Sequence, residues 1–291
     1  MKEAMRKADV LIEALPYIQQ FRGEIIVVKF GGSAMEDQTH FDSVLADVTF
    51  MECVGMLPVI VHGGGKAISR GMKKHGIEPK FLKGLRVTCE KTIEVVQEVM
   101  KTEINSSIVA TLERMGAMAQ SVCGENVFTV KRKTETDDKT GEQLNLGYVG
   151  EPAQVDTRPV KNLLYRAIIP VVTPLGRGPD GKLYNINADT AAAAMAKELK
   201  ARKLVFLSDV PGLLRNPKDE NSIINTLKAN EIDDLIEKGI IDGGMLPKIK
   251  SGMSALQAGV KKIHIIDGRT PHSLLLEIFT DKGIGTEIVG E

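Results

Sequence analysis

Lys29 with Gly31 and Gly32 forms one candidate phosphate site in this chain, and Gly63, Gly64 and Gly65 form a second. Each closes an apolar run: Ile25-Ile26-Val27-Val28-Lys29-Phe30 leads into Gly31-Gly32-Ser33, and Pro58-Val59-Ile60-Val61 into His62-Gly63-Gly64-Gly65. Short apolar runs of this kind read as buried parallel strands. Glycines after such a strand let the backbone come close to a ligand, and successive N–H groups ahead of a helix make an anion cradle. Lys29 adds a compact positive charge suited to phosphate. Two cradles in one chain point to phosphate that is transferred as well as held.

Three further segments carry candidate polar groups. Asn185-Ile186-Asn187-Ala188-Asp189-Thr190 precedes the run Ala191–Ala194. One of its polar residues could cap the following helix. On an extended segment, Asn185, Asn187 and Asp189 at period two would instead share one side, and the carboxylate could hold two lysines by ion pairs. Lys203-Leu-Val-Phe-Leu-Ser208-Asp209-Val210-Pro211-Gly212-Leu213-Leu214 reads as a strand, a polar end and a turn-rich loop. It is either an ordinary strand exit or a ligand site beyond a carboxyl end. Gly243-Gly244-Met245-Leu246-Pro247-Lys248 sets a lysine near the start of a helical stretch; taken alone, Lys248 reads as a surface residue. Two common nucleotide patterns fail. Gly176-Arg177-Gly178-Pro179-Asp180-Gly181 fits GxGxxG by letter but contains proline and leads into a strand, so it reads as a turn. Gly65-Lys66 is followed by Ala67, and Ile60 stands where a Walker loop needs its first glycine.

The elements that must position these groups alternate along the chain. Helices are expected over 41–56, 66–75, 90–115 and 190–200, and strands over 57–61, 167–172, 203–207 and 260–266. An exposed hairpin is expected over 128–141, turning at Asp137-Asp138-Lys139-Thr140-Gly141. The pattern implies a three-layer α/β/α sandwich with a mainly parallel central sheet. Ahead of it, Ala4, Ala8, Leu11, Ile12, Leu15 and Ile18 recur at helical spacing, with Pro16 expected to kink or end the helix. That stripe must bury itself on its own domain or on a partner subunit. A shallow boundary near Gly176–Gly181 divides the chain into an extension (1–22), an N-lobe (23–180) and a C-lobe (181–291).

Composition narrows the class. Lys+Arg and Asp+Glu both number 38 of 291 residues, so no basic field favours nucleic acid or an anionic membrane. Aromatic content of 4% without Trp argues against base stacking. No apolar run nears the ~20 residues of a membrane span. Cys53, Cys89 and Cys123 are odd in number and scattered, which fits buried thiols in a reducing cytoplasm rather than a disulfide framework or metal site.

In this order, Lys29-Phe-Gly31-Gly32, His62-Gly-Gly-Gly65, Asn185-x-Asn187-Ala-Asp189, Ser208-Asp209-Val-Pro-Gly212 and Gly244-Met-Leu-Pro-Lys248 resemble the amino acid kinase family. The resemblance runs from Glu24 to Ile288. Gly84-Leu85-Arg86-Val87-Thr88, the Asn-Ile-Asn-Ala-Asp run and Gly239-Ile-Ile-Asp-Gly-Gly-Met are most similar to the branch that phosphorylates the γ-carboxylate of N-acetyl-L-glutamate. The resemblance implies the amino acid kinase fold, ATP as phosphoryl donor and Mg²⁺ carried by the nucleotide, with no dedicated metal site. It implies that Lys29 and Lys248 contact the transferring phosphoryl group and that Asp189 holds both. Gly31, Gly32, Gly64 and Gly65 would offer backbone donors to phosphoryl and substrate oxygens. Arg86 would clamp the substrate's α-carboxylate and Asn185 its polar end. Ser208, Asp209, Gly212, Leu213, Leu214, Gly244, Met245 and Leu246 would line the nucleotide.

The ends resemble the arginine-inhibited, hexameric members of that branch, in which N-terminal helices interlace dimers into a trimer of dimers. Arginine would bind near Tyr17, Glu277, Gly283 and Gly285, with Glu277 facing its guanidinium. Thr270 and Pro271 read as the N-cap and first residue of the last helix. For some members the resemblance also implies a PII-type nitrogen signal protein as partner, which these residues leave undetermined. Rival readings are a glutamate 5-kinase, a carbamate kinase, or a non-catalytic arginine or nucleotide sensor. Lys29, Asp189 and Lys248 together weigh against the sensor.

Overall fold

The computed structural model describes residues 1–137, 140–216, 218–219, 222–280 and 283–290. Asp138 and Lys139 of the expected turn, Asp281 and Lys282 near the C-terminus, and the side chain of Ala4 lie outside the described residues. In chain order the first elements are α1 (Lys2–Phe21), β1 (Ile25–Phe30), α2 (Gln38–Cys53), β2 (Leu57–His62), α3 (Gly65–Lys74), β3 (Phe81–Leu82), β4 (Leu85–Arg86) and α4 (Glu90–Glu98). There follow α5 (Ser106–Arg114), β5 (Ala119–Val122), β6 (Phe128–Arg132), β7 (Glu135–Thr136), β8 (Gln143–Leu144), β9 (Val149–Val155), α6 (Arg158–Leu164), β10 (Ile169–Val172), β11 (Leu175–Arg177) and β12 (Leu183–Ile186). The last are α7 (Ala188–Leu199), β13 (Lys203–Ser208), β14 (Thr226–Lys228), α8 (Ile232–Glu237), α9 (Met245–Gln257), β15 (Lys262–Asp267), α10 (Ser273–Ile278) and β16 (Thr286–Val289).

An eight-stranded sheet in the order β14-β16-β15-β13-β1-β2-β10-β5 forms the middle layer, parallel except where β15 meets β16. Successive strand residues point to opposite faces, so one sheet supports two cores. Val27, Val59, Val61, Leu204 and Phe206 pack on one side, and Ile26, Val28, Phe30, Ile60 and Val205 on the other. Lys29 shares the parity of Val27, which directs it to the face covered by α7. The alanines of α7 allow that close approach: Ala191, Ala192 and Ala196 are fully buried.

Several elements differ from the sequence expectation. The stretch 90–115 is not one α-helix; a π-helical segment, Val99–Asn105, joins α4 to α5. The residues of β6 do not form a free hairpin. They pair with β9 and β11 in a closed four-stranded barrel completed by β12, while the local hairpin is β7–β8. Residues 176–181 form the β11–β12 connection of that barrel. Pro16 neither ends α1 nor sits at its edge. The carbonyl its missing N–H would have met belongs to Ile12, an exposed residue. On α1, Tyr17 and Ile18 are half-buried and Phe21 is buried, whereas Met5, Val10, Leu11, Ile12 and Leu15 are exposed. The thiols are not buried either: Cys53 and Cys89 are exposed and Cys123 is intermediate.

The last helix starts later than Thr270-Pro271 predicts. α10 begins at Ser273 after His272, whose φ is 57°. Its cap comes from elsewhere in the chain: Asp47 on α2 accepts from Leu274 N at 3.2 Å and holds His272 Nδ1 at 2.7 Å. Ser43 Oγ accepts from His272 N.

Candidate active site

Parallel pairing puts the carboxyl ends of β1, β2 and β13 at one edge, where the glycine clusters begin. The two loops are stitched by Gly63 N–H, which donates to Phe30 O at 2.6 Å. Asn187 takes the N-cap of α7, its Oδ1 accepting from Asp189 N at 2.9 Å and Thr190 N at 3.1 Å. The capping reading therefore holds for Asn187. Asp189 lies in the first helical turn rather than on an extended segment, and Asn185 stays on β12.

From that turn Asp189 meets both lysines. Lys29 Nζ lies 2.9 Å from Oδ1, as an ion pair without hydrogen-bond alignment, and Lys248 Nζ donates to Oδ2 at 3.0 Å. Lys29 comes from β1 and Lys248 from the first turn of α9, so one carboxylate ties the two halves of the sheet edge together. All three side chains are largely shielded, at 10%, 8% and 17% exposure for Lys29, Asp189 and Lys248. Burial alone would raise the Asp189 pKa, but the two ammonium groups outweigh it and hold the carboxyl below its usual range.

The glycines have separate steric reasons. Gly31 leaves room for Lys29, whose Nζ would be 3.1 Å from a Cβ there. Gly32 has φ 76°, and a Cβ would stand 2.4 Å from Asp209 Oδ1. That oxygen accepts from both Ser33 N and Ser33 Oγ at 2.7 Å. Burial pushes Asp209 up, and the Ser33 hydrogen bonds with the nearby charges of Lys66 and Arg269 bring it below its usual value. At Gly64 a Cβ would come 2.3 Å from Ile104 Cδ1, while Gly65 opens on free space at the start of α3.

Two cavities meet at Gly32. One, of about 350 Å³, is lined by Lys29, Ser208, Asp209, Gly244, Met245 and Lys248 among others. The second, of about 520 Å³, is lined by residues including Gly64, Gly65, Lys66, Ser69, Arg70 and Phe81. Arg70 lies at its wall between Glu36 and Glu103, forming ion pairs with both.

Arg86 stands behind this second cavity. Lys83 and Gly84, at φ 49° and 76°, make the tight β3–β4 turn that places Arg86 opposite Phe81. Its guanidinium lies 4.6 Å from the Phe81 ring centroid and donates to Gly65 O at 2.7 Å and Ser69 Oγ at 2.8 Å. Burial lowers its pKa. No carboxylate among the described residues pairs with it. Asn185 is half-buried on β12, and its side chain makes no hydrogen bond among the described residues.

Other predicted residues are placed less openly. Leu213 is buried, and its N–H donates to Thr286 Oγ1 at 2.8 Å. Gly212 packs against the same Thr286, and Leu214 bridges to Ile223. Leu246 lines a different cavity, of about 670 Å³, with Asn187, Thr190 and Lys250. At the C-terminal end, Tyr17 stacks obliquely on Phe279 at 6.1 Å. The carboxylate of Glu277 already has partners within the chain. It is buried, with Oε1 2.6 Å from His264 Nδ1 and Oε2 accepting from Ile284 N at 2.7 Å and Gly285 N at 3.1 Å. Gly283 closes over it: a Cβ there would lie 2.6 Å from Oε2. Burial opposes ionisation of Glu277, and His264 with the loop amides still lowers its pKa.

Sequence spacing did not single out Ser33, Ser69 or Phe81. The Lys83-Gly84 turn signal would have found Phe81 as the cross-strand partner of Arg86. No group of three or more His, Cys, Asp or Glu placed to hold a metal occurs among the described residues, and none of their helices is long and apolar enough to cross a membrane.

The site is thus an open parallel α/β edge with two lysines on one carboxylate and two cavities that meet at Gly32. Residues 24–267 match the model of the amino acid kinase family. The chain is 45% identical over 294 residues to the acetylglutamate kinase of Heliobacterium modesticaldum, covering 99% of this chain and all of that one. It is 49% identical over 282 residues to the acetylglutamate kinase of Caldanaerobacter subterraneus, covering 97% of this chain and 93% of the relative. Among solved structures, N-acetylglutamate synthase from Neisseria gonorrhoeae, complexed with coenzyme A and N-acetyl-glutamate, superposes with a TM-score of 0.83 at 31% identity. That match covers 97% of this chain and spans 63% of the synthase. The chain belongs to the amino acid kinase family.

Proposed function

We propose that the protein is an acetylglutamate kinase: it transfers the γ-phosphoryl group of ATP to the γ-carboxylate of N-acetyl-L-glutamate, a step of arginine biosynthesis. The observation that carries the reading is the Lys29–Asp189–Lys248 cluster, whose lysines line a cavity that meets the second at Gly32, in a chain similar over nearly its whole length to acetylglutamate kinases. A carboxylate with a reference pKa of ~4.3 is already ionised at neutral pH, so the acceptor needs no general base. Catalysis is then positioning and charge stabilisation. A carboxylate oxygen forms the new P–O bond as the bond from phosphorus to ADP breaks, and the product is an acyl phosphate.

Lys29 and Lys248 supply positive charge to the phosphoryl oxygens and to departing ADP, with Asp189 fixing both ammonium groups. Gly31 and Gly32 serve the phosphate, and backbone N–H groups of Gly64 and Gly65 act as oxyanion donors. The nucleotide occupies the cavity lined by Ser208, Asp209, Gly244 and Met245, with Gly212, Leu213, Leu214 and Leu246 shaping its surroundings. N-Acetyl-L-glutamate occupies the cavity beside Gly65, its α-carboxylate drawn to Arg86 and its amide to Asn185. Mg²⁺ comes with the nucleotide, neutralising phosphate charge; Asp209 and Asp242 are the carboxylates lining that cavity. The enzyme works in the cytoplasm.

Feedback inhibition by arginine and a hexameric trimer of dimers belong to the same proposal. The uncovered apolar residues of α1 favour helix pairing between subunits. Arginine near Tyr17, Gly283 and Gly285 would have to displace His264 from Glu277 to gain that carboxylate. The test of the activity is an ADP-release assay with N-acetyl-L-glutamate, glutamate, aspartate and carbamate in parallel. Turnover with N-acetyl-L-glutamate alone supports the assignment; turnover with another acceptor keeps the phosphate site and overturns the Arg86–Asn185 pocket. No turnover with any of the four would bring back the non-catalytic sensor reading.

A further inference from the structure

We infer that His62 and Asn105 are a buried positioning pair which, together with Ile104, fixes the Gly63–Gly65 loop for phosphoryl transfer. The inference rests on the phosphate and acceptor role proposed for that loop. It begins with the π-helical segment Val99–Asn105. Such a segment widens one helical turn and recurs at functional sites. Here it delivers two consecutive buried residues to the loop. Ile104 Cδ1 fills the place where Gly64 would carry a Cβ. Asn105 reaches the imidazole of His62.

The hydrogen bonds leave a single arrangement of protons. Asn105 Nδ2 lies 2.9 Å from Val171 O, a carbonyl that can only accept, so the amide orientation is set. The second N–H of that amide faces His62 Nε2 at 3.1 Å, which must therefore be the bare nitrogen. His62 Nδ1 lies 2.8 Å from Gly63 O, also an acceptor only, so Nδ1 carries the hydrogen. His62 is wholly buried, and burial pushes its pKa down to about 4 against the rise from the Gly63 contact. The imidazole thus stays a neutral donor through the physiological range.

Gly63 is gripped on both sides of its Cα, its N–H by Phe30 O and its C=O by the imidazole. Any tilt of the loop must break one of these bonds or push Gly64 against Ile104. Meanwhile Asn105 Oδ1 is buried with no partner among the described residues. A purely structural core would place apolar groups there and avoid that loss. Holding the donors of the loop still is the function that justifies it, because a preorganised donor reorganises little during transfer.

The test is nitrogen-15 NMR of the full-length protein, with steady-state kinetics on the wild type and on Asn105→Asp and Ile104→Val. In the wild type His62 should be protonated at Nδ1 alone between about pH 6 and 8. Asn105→Asp puts an acceptor against Nε2, so the imidazole gains a proton there and the Gly63–Gly65 amide resonances move. The expected kinetic effect is a fall in kcat of about tenfold or more, with KM for either substrate changed less than about threefold. Ile104→Val, which should fold readily, moves the same amides and lowers kcat by a few-fold. The inference is overturned if wild-type His62 carries its proton on Nε2. It is equally overturned if either variant shifts the glycine amides while kcat stays at the wild-type value, or leaves those amides in place. A wild type inactive on N-acetyl-L-glutamate would sink the functional reading separately, since the imidazole and amide shifts are read without substrate.

Discussion

Asp189→Asn removes the charge that holds two lysines while keeping the size of the side chain. At about 3 Å and an effective dielectric near 20, each lysine is attracted by about 5 kcal/mol before desolvation is counted. Much of that is offset by burying the charges, and breaking such a cluster by deleting one partner costs about 3–5 kcal/mol. The loss should appear as a lower thermal midpoint at pH 7. Burial works to raise the Asp189 pKa, and Lys29 and Lys248 more than reverse it, so the folded value lies below the ordinary 3.8. A depressed folded pKa contributes stability that is fully present above the unfolded value and disappears as pH falls through the folded one. The wild type and variant should therefore differ most above pH 3.8 and converge at lower pH. Turnover should fall at least ~100-fold as the lysines lose their fixed positions. Differential scanning calorimetry across pH and a coupled ADP assay measure both. A variant as stable as the wild type at pH 7, with turnover within a few-fold, would refute the account of Asp189 as the anchor of the site.

Gly32→Ala places a Cβ against Asp209 at a φ of 76° and should cost about 1–3 kcal/mol while raising KM for ATP; wild-type KM and stability would show that the Asp209–Ser33 contact can shift freely. Arg86→Lys keeps the charge but loses the guanidinium fork held over the Phe81 ring, and KM for N-acetyl-L-glutamate should rise about tenfold or more, whereas an unchanged KM removes Arg86 from the acceptor pocket. Deleting residues 2–21 should yield dimers in sedimentation velocity and weaken arginine inhibition; an intact, normally inhibited hexamer would end the proposed role of α1.

The sheet was legible because a strand covered on both faces must be a near-continuous apolar run, as at Ile25–Phe30 and Lys203–Ser208. The glycine clusters were legible for a related reason, since Gly32 and Gly64 stand where no side chain fits. What escaped depends on contacts distant in sequence. The cap of α10 is Asp47 on α2, so the local Thr270-Pro271 signal misplaced the helix start. Asn185, Asn187 and Asp189 alternate as a strand would, yet Asn187 as N-cap switches the chain from strand to helix between the first and last of them. The π-helical turn inserts its extra residue without disturbing the apolar spacing enough to be read. Nothing local to Glu277 announces His264, thirteen residues away in sequence, as the partner of its carboxylate.

The central claim is that a γ-carboxylate oxygen of N-acetyl-L-glutamate attacks phosphorus. N-Acetyl-L-glutamate labelled with oxygen-18 in that carboxylate, incubated with ATP, Mg²⁺ and enzyme and trapped with hydroxylamine, tests it most directly. Hydroxylamine cleaves the acyl C–O bond, so each released phosphate should carry one labelled oxygen and appear with an equivalent of hydroxamate. Phosphate without label and no hydroxamate would mean that water, not the carboxylate, receives the phosphoryl group, and would contradict the account.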